Sequence, residues 1–71
     1  MDSKQAVFEV LGAYVPGDRF SSYDLYYKVK IKTGEIHHIG TYLRYLREYR
    51  RKTGRIIRNA NKAKSIYEVM T

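Results

Sequence analysis

The sequence predicts an α+β domain in which three helices precede a C-terminal β-hairpin. Two observations carry this. In three successive segments the apolar residues recur at three- and four-residue steps, and each segment ends at a Pro-Gly or Thr-Gly pair. After the last of these glycines, Gly54, the period changes to two around a polar tip. The chain has 71 residues, which is room for a single domain spanning residues 1–71.

The first helix is expected over about residues 3–15. Asp2 or Ser3 can cap it. Val7, Val10, Leu11 and Tyr14 then fall at i, i+3, i+4 and i+7, on one face. Val15-Pro16-Gly17-Asp18 ends it, because proline disfavours helix at the residue before it. Arg19-Phe20 reads as a short extended stretch.

The second helix is expected over about 22–33. Ser21 or Ser22 caps it, and Ser21 with Asp24 three residues on resembles a capping box. Leu25, Tyr26 and Val29 form its buried stripe. Lys28, Lys30 and Lys32 suit the negative end of the helix dipole. Thr33-Gly34 stops it, with Gly34 as the cap.

Glu35 and Ile36 form a turn. The third helix is expected over about 37–52, with Ile39, Leu43, Leu46 and Tyr49 or Arg50 as its apolar stripe and Tyr42 beside it. Its opposite face reads His38, Thr41, Arg44, Tyr45, Glu48, Arg51 and Lys52. Thr53-Gly54 closes it. The hairpin follows over about 55–70. Arg55-Ile56-Ile57-Arg58 is β-prone, residues 59–64 are turn-like, and residues 65–70 alternate. The pattern leaves open which of Ile56 and Ile57 faces the core.

Charge separates the chain into two parts. Residues 1–43 hold Lys4, Arg19, Lys28, Lys30 and Lys32 against Asp2, Glu9, Asp18, Asp24 and Glu35, and so balance. Residues 44–64 hold nine Lys and Arg against Glu48 alone, a net of +8, while the whole chain carries +7. A clustered excess of this size attracts a polyanion, nucleic acid before an anionic membrane surface.

The order helix, short strand, helix, tight turn, long basic helix, hairpin resembles the winged helix-turn-helix family of DNA-binding domains. The resemblance covers nearly the whole chain. It rests on Phe20-Ser21-Ser22-Tyr23-Asp24-Leu25-Tyr26, on Thr33-Gly34, on Thr41-Tyr42-Leu43-Arg44-Tyr45-Leu46-Arg47 and on Gly54-Arg55-Ile56-Ile57. It implies a fold with the hairpin as a wing, and a transcriptional regulator that binds specific sequences of double-stranded DNA. The third helix would enter the major groove, and the wing would lie along the backbone or a minor groove. Small domains rich in Lys and Tyr also resemble regulators encoded by archaeal viruses and plasmids. A homodimer is an expectation from the same resemblance, because two-fold operators need paired readers. Two positions depart from the family pattern. His37 stands where Ser or Thr often opens the recognition helix, and Gly40 sits in its first turn, where close packing on the second helix would explain it.

Arginine suits base and phosphate contact because its fork donates two parallel hydrogen bonds. Residues near the start of the third helix are expected at base edges: His38, Thr41, Arg44 and Tyr45. Phosphate contacts are expected from Arg47, Arg51, Lys52, Arg55 and Arg58, and from Lys62 and Lys64 at the wing tip. Most of the eight tyrosines are expected in the core with the hydroxyl reaching water. The alternative function is an RNA-binding or protein-assembly module on the same fold.

Cysteine is absent, which excludes disulfides and the usual cysteine-based zinc sites. The adjacent His37 and His38 point about 100° apart on a helix and chelate one metal poorly. No Ser-His-Asp set can be assigned, no carboxylate pair sits within the basic region, where Glu48 stands alone, and no phosphate-binding loop is present, so no enzyme activity, metal or cofactor is expected. Asp2, Glu9 and Asp18 interrupt the first twenty residues, unlike a signal peptide. No apolar run approaches the roughly 18 residues that cross a bilayer. The expectation is a soluble cytoplasmic protein without a membrane partner, working inside a host cell if the viral likeness holds.

Overall fold

A computed structural model describes residues 2–71. The elements run α1 (Ser3–Gly12), β1 (Arg19–Ser21), α2 (Ser22–Thr33), α3 (Ile39–Thr53), β2 (Ile57–Asn61) and β3 (Ile66–Val69). The three strands form one antiparallel sheet in the order β1-β3-β2. Three helices with a C-terminal hairpin and one earlier strand make a winged helix-like α+β arrangement, the expected fold class.

Asp2 caps α1, its Oδ1 accepting from the Gln5 amide at 2.7 Å. The helix ends at Gly12, three residues before the expected boundary. Its last turn tightens, with the Ala13 amide shared between the Glu9 and Val10 carbonyls and Tyr14 bonded to Leu11. Asp18 then closes the Pro16-Gly17 turn from both sides. Its Oδ2 accepts from the Val15 amide at 2.9 Å, and its own amide donates to the Val15 carbonyl.

The capping box of α2 is complete. Ser21 Oγ accepts from the Asp24 amide at 3.0 Å, and Asp24 Oδ2 accepts from the Ser21 amide at 2.8 Å. Leu25 and Val29 are buried, and Gly34 takes the left-handed cap. The start of α3 corrects the sequence reading. The helix begins at Ile39, and His38, not His37, caps it: Nδ1 accepts from the Gly40 amide at 3.0 Å. Gly40 does not pack on α2. A Cβ there would meet His38 Nδ1 at 3.0 Å and Cε1 at 3.4 Å. Glycine at this position lets the capping ring close over its own amide.

The core draws Val7, Val10 and Leu11 from α1, Phe20 from β1, and Leu25 and Val29 from α2. Tyr42, Leu46 and Tyr49 join them from α3, and Ile57 and Val69 from the hairpin. The buried side of α3 is rotated from the expected stripe. Tyr42 is fully buried against Tyr26 and His37, while Ile39 and Leu43 are only half-buried. A tyrosine whose ring fills the gap between two helices outweighs the aliphatic neighbours in position. Tyr14, Phe20 and Tyr67 stack at 4.8 and 5.5 Å, tying the end of α1 to the sheet.

The hairpin is displaced towards its tip. Asn59, Ala60 and Asn61 belong to β2, whereas Arg55 and Ile56 precede it. Ile57 faces the core and Ile56 is exposed. The register shifts between Asn59 and Asn61, a bulge at Ala60. Asn61 Oδ1 then accepts from the Lys64 amide and closes the turn. No helix among the described residues is long and apolar enough to cross a membrane.

Candidate nucleic-acid interface

The outward side of α3 follows from its buried side. With Tyr42, Leu46 and Tyr49 turned inward, helical spacing turns Arg44, Arg47 and Arg51 outward at i, i+3 and i+7. All three are exposed, as is Arg50 beside them. They span roughly 10 Å at 1.5 Å per residue. None of the four makes an ion pair among the described residues.

The reason lies in where the acids are. All seven carboxylates are engaged elsewhere. Asp2, Asp18 and Asp24 accept from backbone amides at turns and helix starts. Glu9 pairs with Lys32 at 3.5 Å, and Glu35 lies 3.0 Å from His37 Nε2. Glu48, the one acid on α3, pairs with Lys4 of α1 at 3.0 Å. The bond from Lys4 holds the Glu48 carboxyl below its ordinary range, with Lys52 and then Arg44 adding to the effect. Glu68 on β3 takes Arg58 at 2.7 Å and Arg19 at 3.6 Å across the outer face of the sheet. Arg58 is the main cause of its lowered pKa.

The expected contact residues therefore divide. Arg44, Arg47, Arg51, Lys62 and Lys64 are exposed and free of ion pairs among the described residues. Thr41 is half-buried on the edge of the arginine face. Lys52 sits on the α1 side, its Nζ 5.9 Å from the centre of the Phe8 ring. Arg58 is exposed but shares Glu68, so much of its charge is met within the sheet.

Three of the expected base or phosphate contacts are engaged within the fold. Tyr45 is half-buried, packed against the core and lining a hollow with Asp2, Ser3 and Lys4, with the Arg44 guanidinium 5.5 Å from its ring centre. The rotation of α3 that buries Tyr42 carries Tyr45 with it. His38 has its Nδ1 committed to the Gly40 amide, which leaves only Nε2 to face a ligand.

Arg55 is the third. Its Nε donates to the Thr71 carbonyl at 2.9 Å, and Nη1 to the Leu11 carbonyl and the Tyr49 hydroxyl at 2.9 and 3.1 Å. Nη2 donates to the Tyr14 carbonyl at 2.9 Å. On the Leu11 carbonyl, in the last turn of α1, the cation meets the negative end of the helix dipole. Four of its five N–H donors are used inside the protein, which leaves a single Nη2 N–H and no bidentate face for a phosphate. The sequence signal for this role is slight: an arginine just beyond a glycine-capped helix, next to the β-prone run.

At the other end of the hairpin, residues 62–65 form the turn and project Lys62 and Lys64. Asn59 is exposed in β2, whereas Asn61 is used to close the turn. The exposed cations thus fall in two groups, an arginine face on α3 and a lysine tip on the hairpin.

No protein-family model, curated protein or solved structure matches the sequence.

Proposed function

We propose that this protein binds double-stranded DNA at specific sequences and acts as a transcriptional regulator. In this reading α3 enters the major groove and the hairpin lies along the backbone or an adjacent minor groove. One observation carries it: Glu48, the one acid on α3, is paired with Lys4 of α1, and among the described residues no acid pairs with Arg44, Arg47, Arg51, Lys62 or Lys64. Duplex phosphates supply their counterions, and the fork of Arg44 can meet guanine O6 and N7 at a base edge. Arg47 and Arg51 serve the phosphates, with Lys62 and Lys64 doing so from the wing. Regulation here is non-catalytic and needs no cofactor.

The test is a titration of matched duplex DNA, single-stranded DNA and structured RNA at one salt concentration, then the duplex over a salt series. Duplex DNA is expected to bind tightest. With about five phosphates contacted, log K falls against log salt with a slope of roughly −4 to −5. A preference for RNA, or a flat salt dependence, replaces this reading with an RNA-binding or assembly module.

A further inference from the structure

The second helix carries a surface that DNA binding does not use. α2 buries Leu25 and Val29 and turns Tyr23, Tyr27 and Ile31 to solvent, where they are 68, 58 and 80% exposed. The three stand at i, i+4 and i+8, one line along the helix. Two tyrosines and an isoleucine in line are an unusual load for an open helix face, since exposed apolar groups in a contiguous patch mark a contact surface.

We propose that this stripe is a self-association surface, through which two copies of the chain pair α2 against α2 in antiparallel orientation. The stripe is its own complement. A two-fold axis crossing the helix at Tyr27 sets Tyr27 against the partner's Tyr27. It sets Tyr23 against the partner's Ile31, because each lies four residues from the axis.

The charges beside the stripe agree with that register. Asp24 flanks it near its N-terminal end and Lys28 lies on the same flank near the middle. The two-fold operation brings Asp24 of each copy beside the partner's Lys28. Both groups have capacity left: Asp24 uses only Oδ2 in its cap, and Lys28 gives one proton to the Tyr14 hydroxyl at 3.0 Å. Antiparallel pairing also sets the positive start of each helix against the negative end of the partner's. Parallel pairing would set Lys28, Lys30 and Lys32 against their own copies. The arginine face lies on a different helix, opposite that helix's own buried side. The inference itself stands on α2 and is tested without DNA.

Three side chains and their flanks cover less than the roughly 800 Å² per partner of a standard interface, so the pair is weak and assembles with rising concentration. Sedimentation equilibrium on the full chain, from about 10 μM to about 1 mM, is expected to pass from monomer to dimer and no further. Tyr27→Asp puts two carboxylates on the axis and weakens pairing at least about tenfold, with an unchanged thermal melt because Tyr27 lies outside the core. Tyr23→Glu and Ile31→Lys each weaken it. The double variant recovers it, since the carboxylate introduced on each copy would then face the ammonium introduced on the other. A chain that stays monomeric throughout overturns the proposal. So does a double variant no better than the singles, or a Tyr27→Asp variant that loses single-stranded DNA binding while pairing is unchanged. The last result would make the stripe a base-stacking platform.

Discussion

Arg44, Arg47 and Arg51 on the outward face of α3 make no ion pair among the described residues, whereas Arg55, just beyond the helix, is bonded to three carbonyls and a phenol. The two regions use one residue type for opposite purposes. On the outward face the fork is left unsatisfied by the protein and remains available to a ligand. In the seam behind the helix it joins the end of α1, the side of α3 and the chain's last residue. The difference is set by neighbours. The carbonyls of Leu11, Tyr14 and Thr71 have acceptor capacity to spare and capture a guanidinium, while Glu48, the one carboxylate on α3, is taken by Lys4. A basic count taken from sequence therefore overstates a binding surface by the cations that serve the fold.

The comparison breaks most visibly at Arg55. Arg55→Ala removes four hydrogen bonds and leaves the Leu11 and Tyr14 carbonyls without that partner. The expected loss is about 3 kcal/mol of stability, or a melting temperature lower by roughly 15 °C for a domain of this size. Duplex affinity, measured well below the variant's melting point, should keep its salt slope. A variant that melts normally but loses one phosphate's worth of salt dependence would place Arg55 on the DNA side after all.

The outward face should behave in reverse. Arg44→Ala is expected to leave the melt within about 0.5 kcal/mol of the parent, as exposed substitutions usually do. On the preferred duplex it should cost about 1–3 kcal/mol and flatten discrimination among sequences. Arg51→Ala, or Lys62→Ala on the wing, should weaken preferred and unrelated duplexes by similar factors and lower the salt slope by about one. Each variant is read on one specific and one unrelated duplex over a salt series. If Arg51 governs the specificity ratio and Arg44 does not, the other end of α3 lies deepest in the groove.

The same comparison separates what is legible in the sequence from what is not. Local rules locate α2 to the residue, because Ser21, Asp24 and Gly34 each act within four residues of chain. The end of α3 at Thr53-Gly54 and the hairpin follow from equally local signals. The basic face is legible too, since arginines at i, i+3 and i+7 share a side wherever a helix forms. What depends on distant partners is hidden. Arg55 meets Leu11 and Tyr14 more than 40 residues earlier in the chain, and no spacing rule links them. β1 pairs with β3 across 45 or more residues, so its extended character can be read but not its neighbour. Periodicity groups Tyr45 with the binding face because it fixes which residues share a side, not which side turns inward. The burial of Tyr42 decides that, and it depends on Tyr26 of α2.

A smaller effect tests whether the start of α3 is built as its geometry implies. His38→Ala removes the cap from the Gly40 amide and is expected to cost about 1 kcal/mol. Gly40→Ala alone should be close to neutral. Its gain in helix propensity of up to ~1 kcal/mol is offset by pushing the His38 ring off its acceptor position. With His38 already replaced by alanine, the same Gly40→Ala change should stabilise. Thermal melts of the two singles and the double measure this change of sign. Additive effects would mean that the ring and the glycine do not depend on one another.

The smallest effect concerns the acids that are kept away from the arginine face. Glu48 and Glu68 both titrate below their ordinary range in the folded chain, the first held chiefly by Lys4 and the second by Arg58. A carboxylate with a lowered folded pKa adds stability above its unfolded pKa, and that addition is lost as pH falls through the folded value. Stability should therefore be level from neutral pH down to the ordinary glutamate range, near pH 4.3, and decline below it. Both side chains are partly open to water, so screening keeps the decline shallow. Glu48→Gln and Glu68→Gln should each flatten part of it. Lys4→Ala should flatten it as Glu48→Gln does, and Arg58→Ala as Glu68→Gln does. Arg44→Ala should change it least, because Arg44 makes no ion pair among the described residues and adds less to the Glu48 shift than Lys4 or Lys52. Denaturant titrations of these variants between about pH 3 and pH 7 supply the comparison. If Arg44→Ala flattened the acid limb as much as Lys4→Ala, Glu48 would be a counterion of the outward face, and the face's lack of internal partners would no longer hold.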